Sequence, residues 1–259
     1  MELGIDGRAC VVTGASRGIG LATAQLLSAE GVRLLLVARD EEALAEAAPP
    51  GAATLAADVT ETGAAERILD QAESLFGSLD ILVNNAGTSR ARGLDELTDD
   101  EWDDQWQLHV MASMRLMRVA APKMAQRGWG RIVNVGSSSG KRPSLSNAAY
   151  SVTKAAQHAL SRVFADTYAK QGVLVNAVAP GPIETGLWMD EGGLADQTGD
   201  AKGLSRGEAL DAQSDKVPLG RFAEPGEIAD VVVFLSSARA STVTGAAWSV
   251  DGGAVAIIV

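Results

Sequence analysis

Apolar residues fall into short, nearly continuous runs separated by longer amphipathic stretches. The runs are Ala9–Val12, Leu34–Val37, Thr54–Ala56, Ile81–Val83, Ile132–Val135, Leu174–Val178 and Ala247–Val250. Their apolar residues do not alternate with polar ones, which predicts strands covered on both faces. The stretches between them, including Ile19–Ala29, Ala64–Phe76, Trp102–Met124 and Tyr150–Tyr168, are rich in Ala, Glu, Leu and Arg and predict helices. Strand and helix in alternation imply a parallel sheet built from right-handed crossovers, a doubly wound α/β fold with helices on both faces. No repeat, low-complexity tract or linker divides the chain, so residues 1–259 are expected to form one domain.

One stretch breaks the rhythm. Glu184–Asp215 is rich in Gly, Asp and Ser, with Leu187-Trp188-Met189 near its start. It reads as a long irregular insert, and such inserts in compact domains are usually functional. It follows the carboxyl end of a strand, where open α/β sheets place their ligands. A substrate loop acting as a lid is the expectation; a passive surface excursion is the alternative.

Composition narrows the classes. Aromatic residues are only 4% of the chain, so the core must be mostly aliphatic. Lys and Arg number 22 against 33 Asp and Glu, a net charge of −11 that argues against nucleic acid or an anionic membrane as partner. Cys10 is the single cysteine, which rules out an intrachain disulfide, and its apolar neighbours predict a buried small hydrophobe. No basic segment followed by an apolar stretch opens the chain, and no apolar run reaches membrane-spanning length. A cytoplasmic location is the default expectation. The residue pattern offers no metal-ligand cluster.

The first run leads into Thr13-Gly14-Ala15-Ser16-Arg17-Gly18-Ile19-Gly20 and then a helix. Glycines at a strand-to-helix turn let the backbone approach a pyrophosphate, which the helix N-terminus stabilises. The second run ends at Ala38-Arg39-Asp40, where a dinucleotide fold reads the adenosine ribose. Arg39, supported by Arg17, suits a 2′-phosphate and favours NADP(H); Asp40 would favour NAD(H), and Arg39 as a solvated loop charge stays open. Asp58-Val59 after the third run is a candidate for the adenine amino group. Asn84-Asn85-Ala86-Gly87 closes the fourth with small residues that let a nicotinamide lie close.

Carbonyl reduction needs a proton donor at oxygen. Tyr150 and Lys154 stand four residues apart, on one face of a predicted helix. A nearby ammonium is expected to lower the phenol's pKa and suit it to proton transfer. Ser137, after Ile132–Val135, offers a hydroxyl to the substrate oxygen, with Ser138 and Ser139 as rivals.

In these motifs, and in Pro180-Gly181-Pro182-Ile183-Glu184-Thr185 and Asp251-Gly252-Gly253, nearly the whole chain resembles the short-chain dehydrogenase/reductase family. The resemblance implies a Rossmann-like fold with a seven-stranded parallel sheet. It makes Tyr150 the general acid/base, gives Lys154 to the nicotinamide ribose and lets Ser137 orient the carbonyl. Gly14, Ser16, Arg17, Gly18, Ile19, Gly20, Asn85, Ala86, Gly87, Pro180 and Gly181 would then line the cofactor, with Ile183 and Thr185 at the carboxamide.

One departure stands out. His109, in Gln107-Leu108-His109-Val110, occupies the place of the family's usual Asn. It would either serve the proton relay or be a histidine satisfied by backbone.

Segments near Arg39, Asn84–Gly87 and Pro218–Arg221 are similar to 3-oxoacyl-carrier-protein reductases. An acidic carrier protein would need a local basic patch, for which Arg127, Arg131 and Lys170 are candidates. An NAD-dependent alcohol, polyol or steroid dehydrogenase is the alternative, with a non-catalytic nucleotide-sensing regulator further off. A dehydratase or epimerase would carry a larger insert. The family also implies a homodimer or homotetramer through the helices Trp102–Met124 and Tyr150–Tyr168.

Overall fold

A computed structural model describes residues 2–256. Seven parallel strands form one sheet in the order β3-β2-β1-β4-β5-β6-β7. They are β1 (Ala9–Thr13), β2 (Arg33–Ala38), β3 (Ala53–Ala56), β4 (Ile81–Asn84), β5 (Gly130–Val135), β6 (Val173–Pro180) and β7 (Ala247–Val250). Every predicted run is a strand, most of them longer by a residue or two than their apolar stretch.

The helices are α1 (Gly18–Ala29), α2 (Glu41–Ala47), α3 (Ala64–Phe76), α4 (Asp99–Trp106), α5 (Ala112–Gln126), α6 (Ala148–Tyr168), α7 (Gly186–Met189), α8 (Leu194–Lys202), α9 (Arg206–Ser214) and α10 (Pro225–Ser236). Successive strand residues point to opposite faces and both faces are dry. Cys10, Val12, Leu34 and Leu36 pack with Ala24 and Leu27 of α1 and Ile228 and Val232 of α10. Val11, Leu35 and Val37 pack on the other side with Ile68, Leu116 and Ala165 of α3, α5 and α6. That double burial is why the strands read as continuous apolar runs.

Two sequence readings are revised. The predicted helix Trp102–Met124 is three pieces, because a π turn over Gln107–Met111 joins α4 to α5. The insert is largely helical rather than irregular. Its α9 starts with a capping box, Ser205 with Glu208, and α8 buries Leu194 and Ala195. Arg206 ties the pieces together through Asp196 at 2.9 Å and the carbonyl of Met189, and Trp188 stands edge-on to Phe222, with ring centroids 5.2 Å apart.

At the amino ends of the strands, Arg131 is buried, and the guanidinium carbons of Arg8 and Arg131 lie 4.0 and 4.5 Å from the centroid of the Trp129 ring. Arg131 donates to the carbonyls of Ser237 (3.0 Å), just past the end of α10, and Gly130 (2.9 Å). A cation at a helix C-terminus satisfies its last carbonyls. Burial, and secondarily Arg8, bring Arg131 down to about 10. Cys10 lies in the middle of the sheet, fully buried.

Candidate active site

The strand order reverses between β1 and β4, and the crevice at their carboxyl ends is where an open α/β sheet binds ligand. Gly14 turns there with φ +64°, and a side chain on Gly20 would collide with the Gly14 carbonyl and the Asn85 amide. Thr13 organises the turn. Its hydroxyl accepts from the Asn85 and Ala86 N–H groups at 3.0 and 3.1 Å, and Asn85 Nδ2 donates to the carbonyls of Thr13 and Gly14 at 2.9 and 3.0 Å. Asn85 therefore clamps the glycine turn, a role its sequence position did not reveal.

Helix α1 begins with no side-chain cap and no acidic residue in its first turn. Its first N–H groups are free to face an anion, so the turn fits a dinucleotide pyrophosphate. Ser16, Arg17, Gly18 and Ile19 border the same turn, and the Thr185 methyl lies against Gly18 from the opposite wall.

Asp40 is the N-cap of α2, its carboxylate accepting from the Ala43 N–H at 3.0 Å. Arg39 beside it is exposed. Asp58 accepts from the N–H and hydroxyl of Thr60 through one oxygen, at 2.9 and 2.7 Å. Burial pushes its carboxyl up, but those bonds and the Arg39 charge outweigh it and leave the group below the usual range. Val59 is buried in the core of the α3 face.

The four chemistry-bearing residues meet at the ends of β4 and β5. Ser137 follows β5, and its hydroxyl accepts from the Ser139 N–H at 3.1 Å. Lys154 Nζ lies 5.6 Å from the centroid of the Tyr150 ring, and the His109 ring stands edge-on to that ring at 5.3 Å. Gly87 adjoins both His109 and Lys154; a Cβ there would lie 3.3 Å from His109 Nε2 and 3.6 Å from Lys154 Nζ. On the far wall Pro180 ends β6, Gly181 is pressed against Asp251, Ile183 is buried, and Thr185 leads into α7.

Electrostatics depart from the sequence reading in one respect. Enclosure pushes the Tyr150 phenol up from its ordinary value, and the Ser137 hydroxyl beside it opposes the shift. The Lys154 ammonium does not offset this, because it is turned to the Val135 carbonyl (2.8 Å) and Gln157 Oε1 (3.1 Å). Burial brings Lys154 down to about 7.

His109 has both nitrogens engaged. Thr153 donates its hydroxyl to the Tyr150 carbonyl at 2.9 Å, so the 2.9 Å contact between His109 Nδ1 and Thr153 Oγ1 makes Nδ1 the donor. Nε2 then accepts from the Thr88 N–H at 3.3 Å. Burial, then the Lys154 charge, hold the ring well below its ordinary pKa, so it is neutral.

Sequence reasoning missed His158. Its ring fills the space left by Gly136 and Gly140 beneath the Ser137 turn, and burial, with Lys154 and Lys141, brings it down to about 4. Glycines flanking the serine cluster were the available signal. The proposed basic patch is not assembled at the site. Arg127 is spent on the Leu79 carbonyl and Arg131 is buried, both at the amino ends of the strands.

Comparison with known proteins decides the family. The family described as Enoyl-(Acyl carrier protein) reductase matches residues 14–255. The chain belongs to the short-chain dehydrogenase/reductase family. It is 38% identical to galactitol 2-dehydrogenase (L-tagatose-forming) of Cereibacter sphaeroides, over 96% of this chain and 95% of that one. It is 34% identical to the 3-oxoacyl-[acyl-carrier-protein] reductase FabG of Vibrio cholerae, over 97% and 98% of the two chains. The solved L-sorbose reductase of Gluconobacter frateurii, complexed with NADPH and L-sorbose, superposes with a TM-score of 0.92 at 38% identity, covering 100% of both chains. This short-chain dehydrogenase/reductase is an oxidoreductase acting on CH–OH and C=O groups. No helix among the described residues is long and apolar enough to cross a membrane.

Proposed function

We propose that the enzyme interconverts a ketone and a secondary alcohol with NADP(H), using Ser137, Tyr150 and Lys154. The observation that carries the reading is the convergence of these residues beside Gly87, at the carboxyl ends of β4 and β5. The cofactor supplies or takes the hydride when bound. In reduction Tyr150 gives its phenolic proton to the carbonyl oxygen, and the Ser137 hydroxyl holds that oxygen. The raised phenol pKa keeps Tyr150 protonated, as a proton donor requires. Lys154 holds the nicotinamide ribose and so seats the cofactor beside Tyr150.

The glycine turn with Ser16, Arg17 and Ile19 would hold the pyrophosphate. Asp58 and Val59 would border the adenine, Asn85, Ala86 and Gly87 the nicotinamide, and Pro180, Gly181, Ile183 and Thr185 its carboxamide. NADP(H) is favoured over NAD(H) because Asp40 is committed to capping α2, whereas Arg39 is exposed. His109 is read as a positioning residue. Its saturated nitrogens fix the Thr153 side of α6 and its ring edge seats the Tyr150 ring.

For the substrate, a free ketone or polyol is favoured over an acyl group on a carrier protein. Arg127 and Arg131, two of the basic residues singled out for an acidic carrier, lie at the other end of the sheet. The helical insert is read as the lid over this substrate, joined to the cofactor wall by the exposed Arg17–Asp190 pair at 3.3 Å. A homodimer or homotetramer through α4–α5 and α6 is the expected assembly, and a stable monomer on sedimentation at micromolar concentration contradicts it.

The test is a panel of ketoses, polyols, simple ketones and a 3-oxoacyl thioester, each with both cofactors. Turnover of a ketose or polyol with NADP(H) supports the reading. Turnover confined to the thioester overturns the substrate class, and equal kcat/KM with both cofactors overturns the cofactor preference.

A further inference from the structure

Lys154 is buried on α6 against the end of β5, and only neutral groups hold it. Its ammonium donates to the Val135 carbonyl at 2.8 Å and to Gln157 Oε1 at 3.1 Å. An ammonium has three donors, so one is left for a ligand. Gln157, one turn further along α6, is 1% exposed, and its Nε2 donates to Ser113 Oγ on α5 at 2.9 Å. The ammonium can only donate, so it takes the amide oxygen and leaves the nitrogen for the Ser113 hydroxyl, which holds that end of the amide in place. The titratable groups around Lys154 are Tyr150 and His158 on its own helix and His109 from the π turn; β5 offers a carbonyl and α5 a hydroxyl. None of these is a carboxylate, so two neutral oxygens carry the whole task of supporting the buried charge.

We infer that Gln157, locked by Ser113 across the α5–α6 contact, is a positioning residue that presets Lys154 as a charged, oriented group before any cofactor arrives. Its use in cofactor binding rests on the function proposed above; the seat itself does not. An apolar side chain at this position leaves the ammonium a single acceptor. A glutamate adds a countercharge. The two substitutions therefore move the lysine's titration in opposite directions, which a role in packing alone does not.

The experiment follows the Lys154 side-chain carbon resonance through a pH titration of cofactor-free protein, in the parent and in Gln157→Leu, Gln157→Glu and Ser113→Ala. Gln157→Leu is expected to lower the midpoint by about half a unit or more and Gln157→Glu to raise it by at least as much, with Ser113→Ala lowering it less. The same midpoint in the parent and in the folded Leu and Glu variants overturns the inference. If the Leu variant does not fold, Glu and Ser113→Ala decide it by the same criterion.

NADPH titration by fluorescence then reads the consequence. A complex that requires charged lysine binds less well above the midpoint. A half-unit drop therefore weakens binding about threefold at pH 8 and changes it less than twofold at pH 6. Midpoints that move while NADPH affinity keeps the parent's pH dependence leave the seat supported and overturn the ribose role given to Lys154.

Discussion

Replacing Lys154 by Met makes the cost of this buried cation measurable. Lys154 is 3% exposed, and burial brings its pKa from 10.5 down to about 7. In the unfolded chain it returns to its ordinary value. Between those two pH values the unfolded state holds one proton that the folded state does not, so folding stability rises with pH. Below pH 7 the lysine is charged in both states and the full cost is present; above 10.5 it is neutral in both and the cost is gone. The slope in the window is about 1.4 kcal/mol per pH unit, and rounding at the midpoint reduces the change between pH 7 and 9 to about 2 kcal/mol. Met removes the titration while filling similar space. The stability of Lys154→Met minus that of the parent should therefore fall by about 2 kcal/mol from pH 7 to 9, all other titrating groups cancelling. Urea unfolding followed by far-ultraviolet circular dichroism at matched ionic strength supplies both curves. A difference that is flat across that range refutes the assigned burial cost.

Tyr150→Phe should abolish turnover and leave NADPH affinity within a few fold, since it deletes only the proton donor; turnover near the parent's contradicts the role. Exchanging Arg39 for Asp should shift the NADPH/NADH ratio of kcat/KM at least tenfold toward NADH, one charge-assisted hydrogen bond being worth about 1.5–3 kcal/mol. Asn85→Ala removes two hydrogen bonds to the carbonyls of Thr13 and Gly14. It should cost about 2 kcal/mol in urea unfolding and weaken cofactor binding as the glycine turn loosens; unchanged values for both would show the clamp to be idle. Amide exchange over Gly186–Asp200 should slow once cofactor and substrate are bound, and indifference to both ligands rejects the lid.

The sheet was legible because each strand is buried on two faces. A run such as Ile81–Val83 has no polar face that could make it resemble a surface helix. That the glycine turn would join a strand to a helix, and that Tyr150 and Lys154 would lie near one another, was legible because strand ends and one helix face fix those positions. The insert was not, because α7 is a single turn and α8 and α9 are short and carry Gly199 and Gly207, which depress local helix propensity. Ser205 and Glu208 marked the start of α9 all the same. Asp40 was weighed as a ribose ligand when its spacing to Ala43 is that of a helix cap. The π turn around His109 and the Gln157–Ser113 bond depend on how α4, α5 and α6 meet, which no local window contains.

Cys10 gives this molecule a built-in gauge of how often its sheet opens. The chain has one thiol, and it lies in a strand flanked by β2 and β4 with no exposed surface. Burial, and secondarily Asp80, push the thiol far above its ordinary pKa, so the closed molecule offers an alkylating or disulfide reagent neither access nor thiolate. Modification must wait for β1 to part from its neighbours. Where reclosing outruns labelling, the observed rate is the intrinsic thiol rate multiplied by the opening equilibrium constant. Flexing of the insert or fraying of the chain ends leaves that rate unchanged. Labelling in native buffer, read by mass, would thus measure how rarely the sheet opens at β1 and report whether a bound ligand makes that opening rarer.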